Sequence, residues 1–251
     1  MSLNFSAELN VKCTKLEAFN GIILSMIGII TSTEGGVLLN AFSILRSSSI
    51  KLDIVVVSDR VNSLGKECQN LGIPYFLIKW DRNFHEETKK VFESYKSLTA
   101  IQLFFTRIVG PEVFSNWRTF NTHPSLLPAF PGIGSLEASI LSGDSYIGAT
   151  SHLVNEKVDE GPIVMQCRSL KNTLTTENFK KISFYQKLYL FLALIESETD
   201  SEILNEKKEL LFYELSSDPF QLEATRILKN KELLRNYLSF ISQDLKKSKQ
   251  K

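Results

Sequence analysis

The stretch of this 251-residue chain with the clearest chemical character is NTHPSLLPAFPG, residues 121–132. Three prolines and one glycine in twelve residues cannot continue a helix or lie in a central strand, so we predict a shaped loop. His123 precedes a proline, which favours an extended backbone at that position. Rigid loops that follow strands commonly carry reactive groups. We therefore take Asn121 and His123 as candidate catalytic residues.

Two later residues, His152 and Asp159, extend this candidate site. His123 and Asp159 each have an ordinary explanation, because a loop histidine often bonds a backbone carbonyl and an aspartate in a Gly-Pro turn often forms that turn. Together with an Asn-x-His loop they suit acyl transfer to an amine. The amide donates to the developing oxyanion, the imidazole carries a proton or positive charge, and the carboxylate orients and stabilises the imidazolium. Such a reaction needs no covalent intermediate.

Alternating strands and helices are expected to position these residues. The patterning predicts strands at 22–31, 52–58, 74–80 and 99–105, separated by helices at 38–47, 61–71 and 86–95. This alternation predicts an α/β fold with a mostly parallel sheet and helices on both faces. Extended runs at 149–154 and 163–170 precede a largely helical remainder. Sheets of this kind bind ligands at the carboxyl ends of their strands.

Composition and charge exclude several classes of protein. The chain has 29 Lys+Arg against 28 Asp+Glu, so it lacks the basic bias of a nucleic-acid-binding protein. The apolar run at 21–31 is too short to cross a bilayer, and the first residues do not resemble a signal peptide. The three cysteines, Cys13, Cys68 and Cys167, have neither disulfide-framework nor zinc-site spacing. We expect a cytoplasmic protein with a small-molecule partner, no nucleic acid, no membrane and no metal.

The combined pattern resembles the 10-formyltetrahydrofolate-dependent formyltransferases, most closely the phosphoribosylglycinamide formyltransferase branch, from about residue 26 to about 166. NTHPSLLPAFPG is similar to that family's Asn-x-His-Pro-Ser-Leu-Leu-Pro loop. The resemblance implies a Rossmann-like formyltransferase fold, 10-formyltetrahydrofolate as co-substrate, and Asn121, His123 and Asp159 as the catalytic trio. It also implies an N-terminal extension at 1–25, a catalytic domain at 26–191 and a helical C-terminal extension with a basic tail at 192–251.

The resemblance assigns two sets of binding residues. The pterin of the co-substrate is expected between a strand end and a loop that closes over it. The implied co-substrate-binding residues are Phe105, Thr106, Arg107, Ile108, Val109, Val154, Val158, Glu160 and Gly161. The implied acceptor-binding residues are Thr33, Glu34, Gly35, Gly36, Ser125 and His152.

Three departures from the family pattern concern the acceptor. Glu34 lies in the loop where the family cradles a phosphate, and a carboxylate there repels phosphate unless it points away. Capping of the following helix by Ser32 or Thr33, with Glu34 favouring its dipole, is equally consistent. Gln186 and Lys187 stand where the family has an acidic residue that contacts the ribose. The C-terminal extension is also longer than the purine-pathway enzyme would need.

These departures lead us to predict a primary amine of a nucleotide-linked amino sugar as the acceptor. Phosphoribosylglycinamide of purine biosynthesis is the alternative. Formylation of an aminoacyl-tRNA and a non-catalytic folate-binding module are less favoured.

Apolar residues of the extension are expected to pack on the domain or to form the seam of a homodimer. Trp80 is expected to pack at a strand end, and His85 to lie on a surface helix.

Overall fold

The computed structural model describes residues 26–50, 53–175, 178–199, 211–215 and 220–248. The predicted N-terminal extension at 1–25, with Cys13, lies outside the described residues, as do residues 249–251 of the predicted basic tail. All residues of the candidate site fall inside them.

Nine strands, seven α-helices and one short 3-10 helix (Lys171–Thr173) are present in the described part of the chain. The strands are β1 (Met26–Thr31), β2 (Asp53–Ser58), β3 (Tyr75–Leu77), β4 (Leu98–Phe104), β5 (Arg118–His123), β6 (Tyr146–Leu153), β7 (Ile163–Leu170), β8 (Tyr213–Glu214) and β9 (Glu223–Ala224). The helices are α1 (Gly36–Ser47), α2 (Ser63–Leu71), α3 (Phe84–Glu93), α4 (Pro111–Phe114), α5 (Ser135–Leu141), α6 (Phe179–Thr199) and α7 (Lys231–Ser248).

The strands form one mixed sheet in the order β3-β2-β1-β4-β5-β6-β7-β9-β8. The first five strands are parallel, and β6, β7, β9 and β8 pair antiparallel. The predicted strand at 74–80 is shortened to β3 because its pairing with β2 ends at Leu77. The predicted helix at 86–95 instead begins at Phe84, whose ring is fully buried.

Helices cover both faces of the sheet, which confirms the predicted fold class. One apolar layer contains Leu38 of α1, Leu64 of α2, Leu188 of α6 and Leu233 of α7. The opposite layer contains residues of α3 and α4, including Phe92 and Val113. Parallel strands that are covered on both faces read as continuous apolar runs, as in β1 and β2.

The C-terminal part of the chain packs on this domain. Tyr237 of α7 is fully buried and its hydroxyl donates to the carbonyl oxygen of Tyr185 in α6 at 3.0 Å. Asn236 Nδ2 donates to Ser48 Oγ after α1 at 2.9 Å. Helix α6 runs through residue 191, where the sequence predicts a domain boundary, and that boundary remains a prediction.

Within the described residues, no helix is both long and apolar enough to span a membrane.

Candidate active site

Asn121, His123 and His152 project from two paired strands. Asn121 and His123 are two residues apart on β5, so their side chains lie on one face of the sheet. In the antiparallel pairing of β5 with β6, His152 lies directly opposite Asn121, and side chains that are opposed in this way share a face. The strand register therefore gathers an amide and two imidazoles at one point.

Asp159 reaches the same point from the loop between β6 and β7. The backbone N–H of Leu153 donates to the Pro162 carbonyl at 2.9 Å, which brings the two ends of the loop together. Gly161 lies so close to β6 that a Cβ there would overlap the carbonyl oxygen of Leu153. Asp159 itself has a φ of +57°, a conformation that few residues other than glycine, asparagine and aspartate adopt. The loop is thus folded tightly back onto the strands.

The Asp159 carboxylate is the centre of the cluster. Its Oδ1 lies 3.4 Å from Asn121 Nδ2 and 3.5 Å from His152 Nε2. Its Oδ2 lies 3.3 Å from His123 Nδ1 and accepts a hydrogen bond from the backbone N–H of Gly132 at 2.9 Å. The three residues predicted to be catalytic are therefore brought together, with His152 as a fourth member.

The environment of Asp159 keeps its carboxyl ionised. The hydrogen bond from His152, the Gly132 N–H and the positive charge of His123 together outweigh burial and lower the pKa of Asp159 to about 2, from an ordinary value of 3.8. A carboxyl with so low a pKa is a poor proton acceptor near neutral pH. It acts in this site as a fixed negative charge.

His123 is held at both ring nitrogens. Nδ1 faces Asp159, and Nε2 lies 2.8 Å from the carbonyl oxygen of Phe130. Both nitrogens therefore face acceptor oxygens, and the ring can donate from either of them. A donor imidazole beside Asn121 suits stabilisation of an oxyanion. Release of the Phe130 carbonyl would free Nε2 for proton transfer.

The amide of Asn121 is directed at its neighbours. Its Nδ2 lies 3.2 Å from His152 Nε2 and 3.4 Å from Asp159 Oδ1. The contact with Asp159 is long for an N–H hydrogen bond, and the contact with His152 is a hydrogen bond only in the tautomer whose Nε2 accepts. Contacts in an unliganded site often tighten only when a substrate binds. An incoming oxyanion can therefore take one of the two N–H groups at little cost.

A buried polar network holds the predicted loop, and sequence reasoning missed two of its members. Thr150 Oγ1 accepts from the Leu127 N–H at 3.0 Å, and Gln166 Nε2 donates to Thr150 Oγ1 and to the Leu127 carbonyl, both at 2.9 Å. The available signal was the presence of polar residues within two strands whose middle positions are buried. Ser125, predicted to bind the acceptor, is fully buried and donates to the Ala129 and Phe130 carbonyls at 2.8 and 3.0 Å.

The residues predicted to bind the co-substrate divide into core and exposed groups. Phe105 and Val154 pack against the same apolar layer, to which the buried Val109 belongs. In contrast, Ile108 is 71% exposed and Val158 is 55% exposed. Exposed apolar side chains on two loops suit a planar apolar ligand. Glu160 is exposed, and its carboxylate lies 3.4 Å from Lys157 Nζ.

His85 has a larger role than the surface position predicted for it. Its Nε2 lies 3.4 Å from the Ile108 carbonyl oxygen, and its ring contacts Trp80 edge-on at 5.3 Å. It therefore supports the loop that follows β4.

The loop after β1 differs from the predicted arrangement. Glu34 Oε2 accepts from the backbone N–H and the hydroxyl of Ser63, at 3.0 and 2.7 Å, and these bonds lower the pKa of Glu34. Glu34 thus caps α2 rather than favouring α1. Gly35 precedes α1, and no side chain caps that helix. Capping of α1 by Ser32 or Thr33 is therefore wrong.

Gln186 is buried inside the fold. Its Nε2 lies 3.3 Å from both the Ile147 carbonyl and Ser169 Oγ, so it fills a structural position between α6 and the sheet.

In the described residues, no group of three His, Cys, Asp or Glu side chains is arranged to hold a metal ion.

Comparison with known proteins places this geometry in a family. A family model described as "Formyl transferase" matches residues 27–181. A phosphoribosylglycinamide formyltransferase of Mycobacterium tuberculosis (strain CDC 1551 / Oshkosh) is 48% identical over 64 residues, which are 25% of this chain and 30% of that protein. A formyltetrahydrofolate deformylase of Haemophilus influenzae is 27% identical over 124 residues, 47% of this chain and 45% of that protein. The matches thus span less than half the length of these curated relatives.

The fold has a counterpart among solved structures. Glycinamide ribonucleotide transformylase 1 from Symbiobacterium toebii aligns with a TM-score of 0.64 and 24% identity, over 74% of this chain and 92% of that one. This likeness concerns the fold. The family match covers more than half of the chain, including the segment from Asn121 to Asp159. The resemblance stated from the sequence is thereby confirmed, and the protein belongs to the formyl transferase family.

Proposed function

We propose that this protein transfers the formyl group of 10-formyltetrahydrofolate to a primary amine. The observation that carries the proposal is the convergence of Asn121 and His123 on the ionised Asp159. Attack of an amine on a formyl carbon requires an amide donor, a positive charge and a carboxylate that holds both in place.

The proposed reaction uses these groups as follows. The amine nitrogen attacks the formyl carbon, and the carbonyl oxygen becomes negative beside Asn121 Nδ2 and the His123 imidazolium. The bond from the formyl carbon to N10 of the folate then breaks, so the formyl group stays on the amine. The attacking nitrogen loses one proton and N10 gains one. Asp159 remains ionised throughout because its pKa is about 2.

The acceptor we test first is phosphoribosylglycinamide. The support comes from the names of similar proteins. A relative that is 48% identical over its matched segment is named as a phosphoribosylglycinamide formyltransferase. Solved structures of similar fold are named as enzymes that formylate the same substrate. These relatives favour it over the nucleotide-linked amino sugar that the sequence led us to predict.

A nucleotide-linked amino sugar is the second candidate, and the loop after β1 favours it. The Thr33 N–H is already bonded to Thr31 Oγ1 at 3.0 Å, and the Gly35 N–H to Thr33 Oγ1 at 3.2 Å. Fewer backbone donors are thus left in this loop to cradle the terminal phosphate of phosphoribosylglycinamide. Phe184 lies beside Gly36, where an aromatic ring suits a sugar or a base.

A transfer assay with a panel of acceptors tests the proposal. The purified protein is incubated with 10-formyltetrahydrofolate and phosphoribosylglycinamide, a UDP-linked amino sugar, or no amine, and products are identified by mass spectrometry. We expect formylation of one amine and its loss in Asn121→Ala and His123→Ala, with folate binding retained. Formate release that is independent of any amine would instead indicate a deformylase. Absence of turnover under every condition, or unchanged turnover in both variants, would contradict the proposal.

A cytoplasmic location and a homodimeric assembly complete the proposal. Tetrahydrofolate-dependent transfer to a phosphorylated or nucleotide-linked amine suits that compartment. Cell fractionation and size-exclusion chromatography with light scattering test the two expectations.

A further inference from the structure

A buried carboxylate outside the catalytic cluster lies directly after β2. The side chain of Asp59 is 0% exposed. It accepts hydrogen bonds from Arg60 Nε and Nη2 at 2.8 and 3.0 Å, and from Arg107 Nε at 2.9 Å. Burial alone raises the pKa of Asp59, but the bonds from the two arginines and from the Ser32 hydroxyl bring it below its ordinary value. Asp59 is therefore a permanent negative charge in the fold.

Asp59 joins three loops at the carboxyl edge of the sheet. The Asp59 N–H donates to the carbonyl oxygen of Thr31, at the start of the loop after β1, at 3.4 Å. Asp59 itself begins the loop after β2, and its partner Arg107 lies in the loop after β4. These are the loops in which a parallel sheet binds its ligands. The first contains some of the predicted acceptor-binding residues, such as Thr33 and Glu34, and the third contains the predicted co-substrate-binding residues at 105–109.

Arg107 is fixed by two contacts. Asp59 engages its Nε, and its guanidinium carbon lies 5.0 Å from the centre of the Trp80 ring. The side chain is still 41% exposed. Free arginine side chains sample many rotamers, and ordering one costs conformational entropy. A charge-assisted bond to a buried carboxylate removes that cost before a ligand arrives.

We infer that Asp59 is a positioning residue for the co-substrate, which acts by fixing Arg107 and with it the loop at residues 105–109. This inference rests on the proposed function, because that loop is the proposed co-substrate site. Asp59 lies outside the Asn121, His123 and Asp159 cluster, so it affects the binding of the folate rather than the chemical step.

The fold contains a matched control for a buried carboxylate that is bonded to an arginine. The side chain of Glu198 in α6 is 2% exposed, and its two carboxylate oxygens lie 2.8 and 2.7 Å from Nη2 of Arg118. Arg118 is 46% exposed, similar to Arg107, but it begins β5 at the opposite end from His123. Glu198→Gln therefore removes a comparable ion pair away from the candidate site.

The test measures affinity for 10-formyl-5,8-dideazafolate, a stable analogue of the co-substrate, by isothermal titration calorimetry on the full chain. We expect Asp59→Asn to weaken binding by about tenfold, as for loss of a charge-assisted hydrogen bond, and Glu198→Gln to bind as the wild type does. Because Asp59 acts through Arg107, the double variant Asp59→Asn/Arg107→Met should bind as Arg107→Met alone does. Thermal unfolding of each variant monitors the fold.

Each outcome separates this inference from the proposed function. If the wild type does not bind the analogue, the proposed function fails. If the wild type binds and Asp59→Asn binds within about twofold of it, the inference is overturned. It is also overturned if Glu198→Gln weakens binding as much, or if the losses from Asp59→Asn and Arg107→Met add. Should Asp59→Asn not fold, Arg107→Met removes the partner of the same carboxylate and must weaken binding.

Discussion

Replacement of Asp159 by asparagine removes the charge at the centre of the candidate site with little change in shape. The carboxylate oxygens lie within 3.5 Å of donors from Asn121, His123, His152 and the Gly132 backbone. An asparagine side chain has one oxygen, so it can accept from only part of this set. Its amide group would also face a neighbouring donor, which repels it.

The size of the effect follows from the pKa of about 2 against an ordinary value of 3.8. At about 1.4 kcal/mol for each pH unit, the surrounding donors favour the carboxylate by about 2.5 kcal/mol. The interaction is mutual, so the carboxylate stabilises the donors around it, taken together, by about the same amount. If this stabilisation acts fully in the transition state, Asp159→Asn slows transfer by about 70-fold.

The measurement is kcat for formyl transfer to the best acceptor of the panel, with Asp144→Asn as the control. Asp144 is exposed and contacts Ser142 rather than the cluster, so that variant should retain wild-type kcat. Folding of each variant is verified by circular dichroism. Asp159→Asn with kcat within threefold of the wild type would refute the reasoning, because the carboxylate would then not be coupled to the reacting groups.

Three further predictions follow from the same geometry. Asn121→Ala should lower kcat by about 100- to 1000-fold, as for loss of an oxyanion donor, with folate affinity unchanged by calorimetry; a decrease below tenfold would contradict the proposed role. Since the pKa of Asp159 is lowered in the folded state, its stabilising contribution is complete above about pH 4 and is lost as the pH falls to about 2. Denaturant unfolding should show that the free energy of unfolding decreases by about 2 kcal/mol over this range. The decrease should be smaller in Asp159→Asn. Gly161→Ala should destabilise the protein and lower kcat, because the added Cβ would overlap the Leu153 carbonyl oxygen. Gly143→Ala is the control, since a Cβ there meets no atom within 4 Å. Equal effects of the two variants would count against the tight loop.

Much of the site was predictable because its residues lie in local patterns. Three prolines around His123 predict a shaped loop wherever that loop packs, and the family motif places Asn121 and Asp159 by resemblance. The register of β5 with β6, which sets His152 opposite Asn121, was not predictable in the same way. Strand register depends on which residues of two segments pair, and a shift by one residue turns every side chain to the other face.

The direction of Glu34 shows the limit of local reasoning. Its position before a helix predicts an interaction with that helix, yet its carboxylate bonds Ser63, 29 residues later. The reason is that parallel strands bring the loops after β1 and β2 to the same edge of the sheet. Asp59 was missed for the same reason, since its partner Arg107 is 48 residues away.

The sequence by itself therefore determined the alternation of strands and helices, the shaped loop that follows His123, the family and the identity of the candidate catalytic trio. These depend on residue type and short spacing, which are local properties. The loop predicted at 121–132 begins later than expected, because residues 121–123 pair with β6 as the end of β5. Only the tertiary structure decided that four donors converge on Asp159, that Glu34 caps α2, and that α7 packs on α1 and α6. Such contacts join residues far apart in the chain, and they form only when sheet register, loop closure and burial are satisfied together.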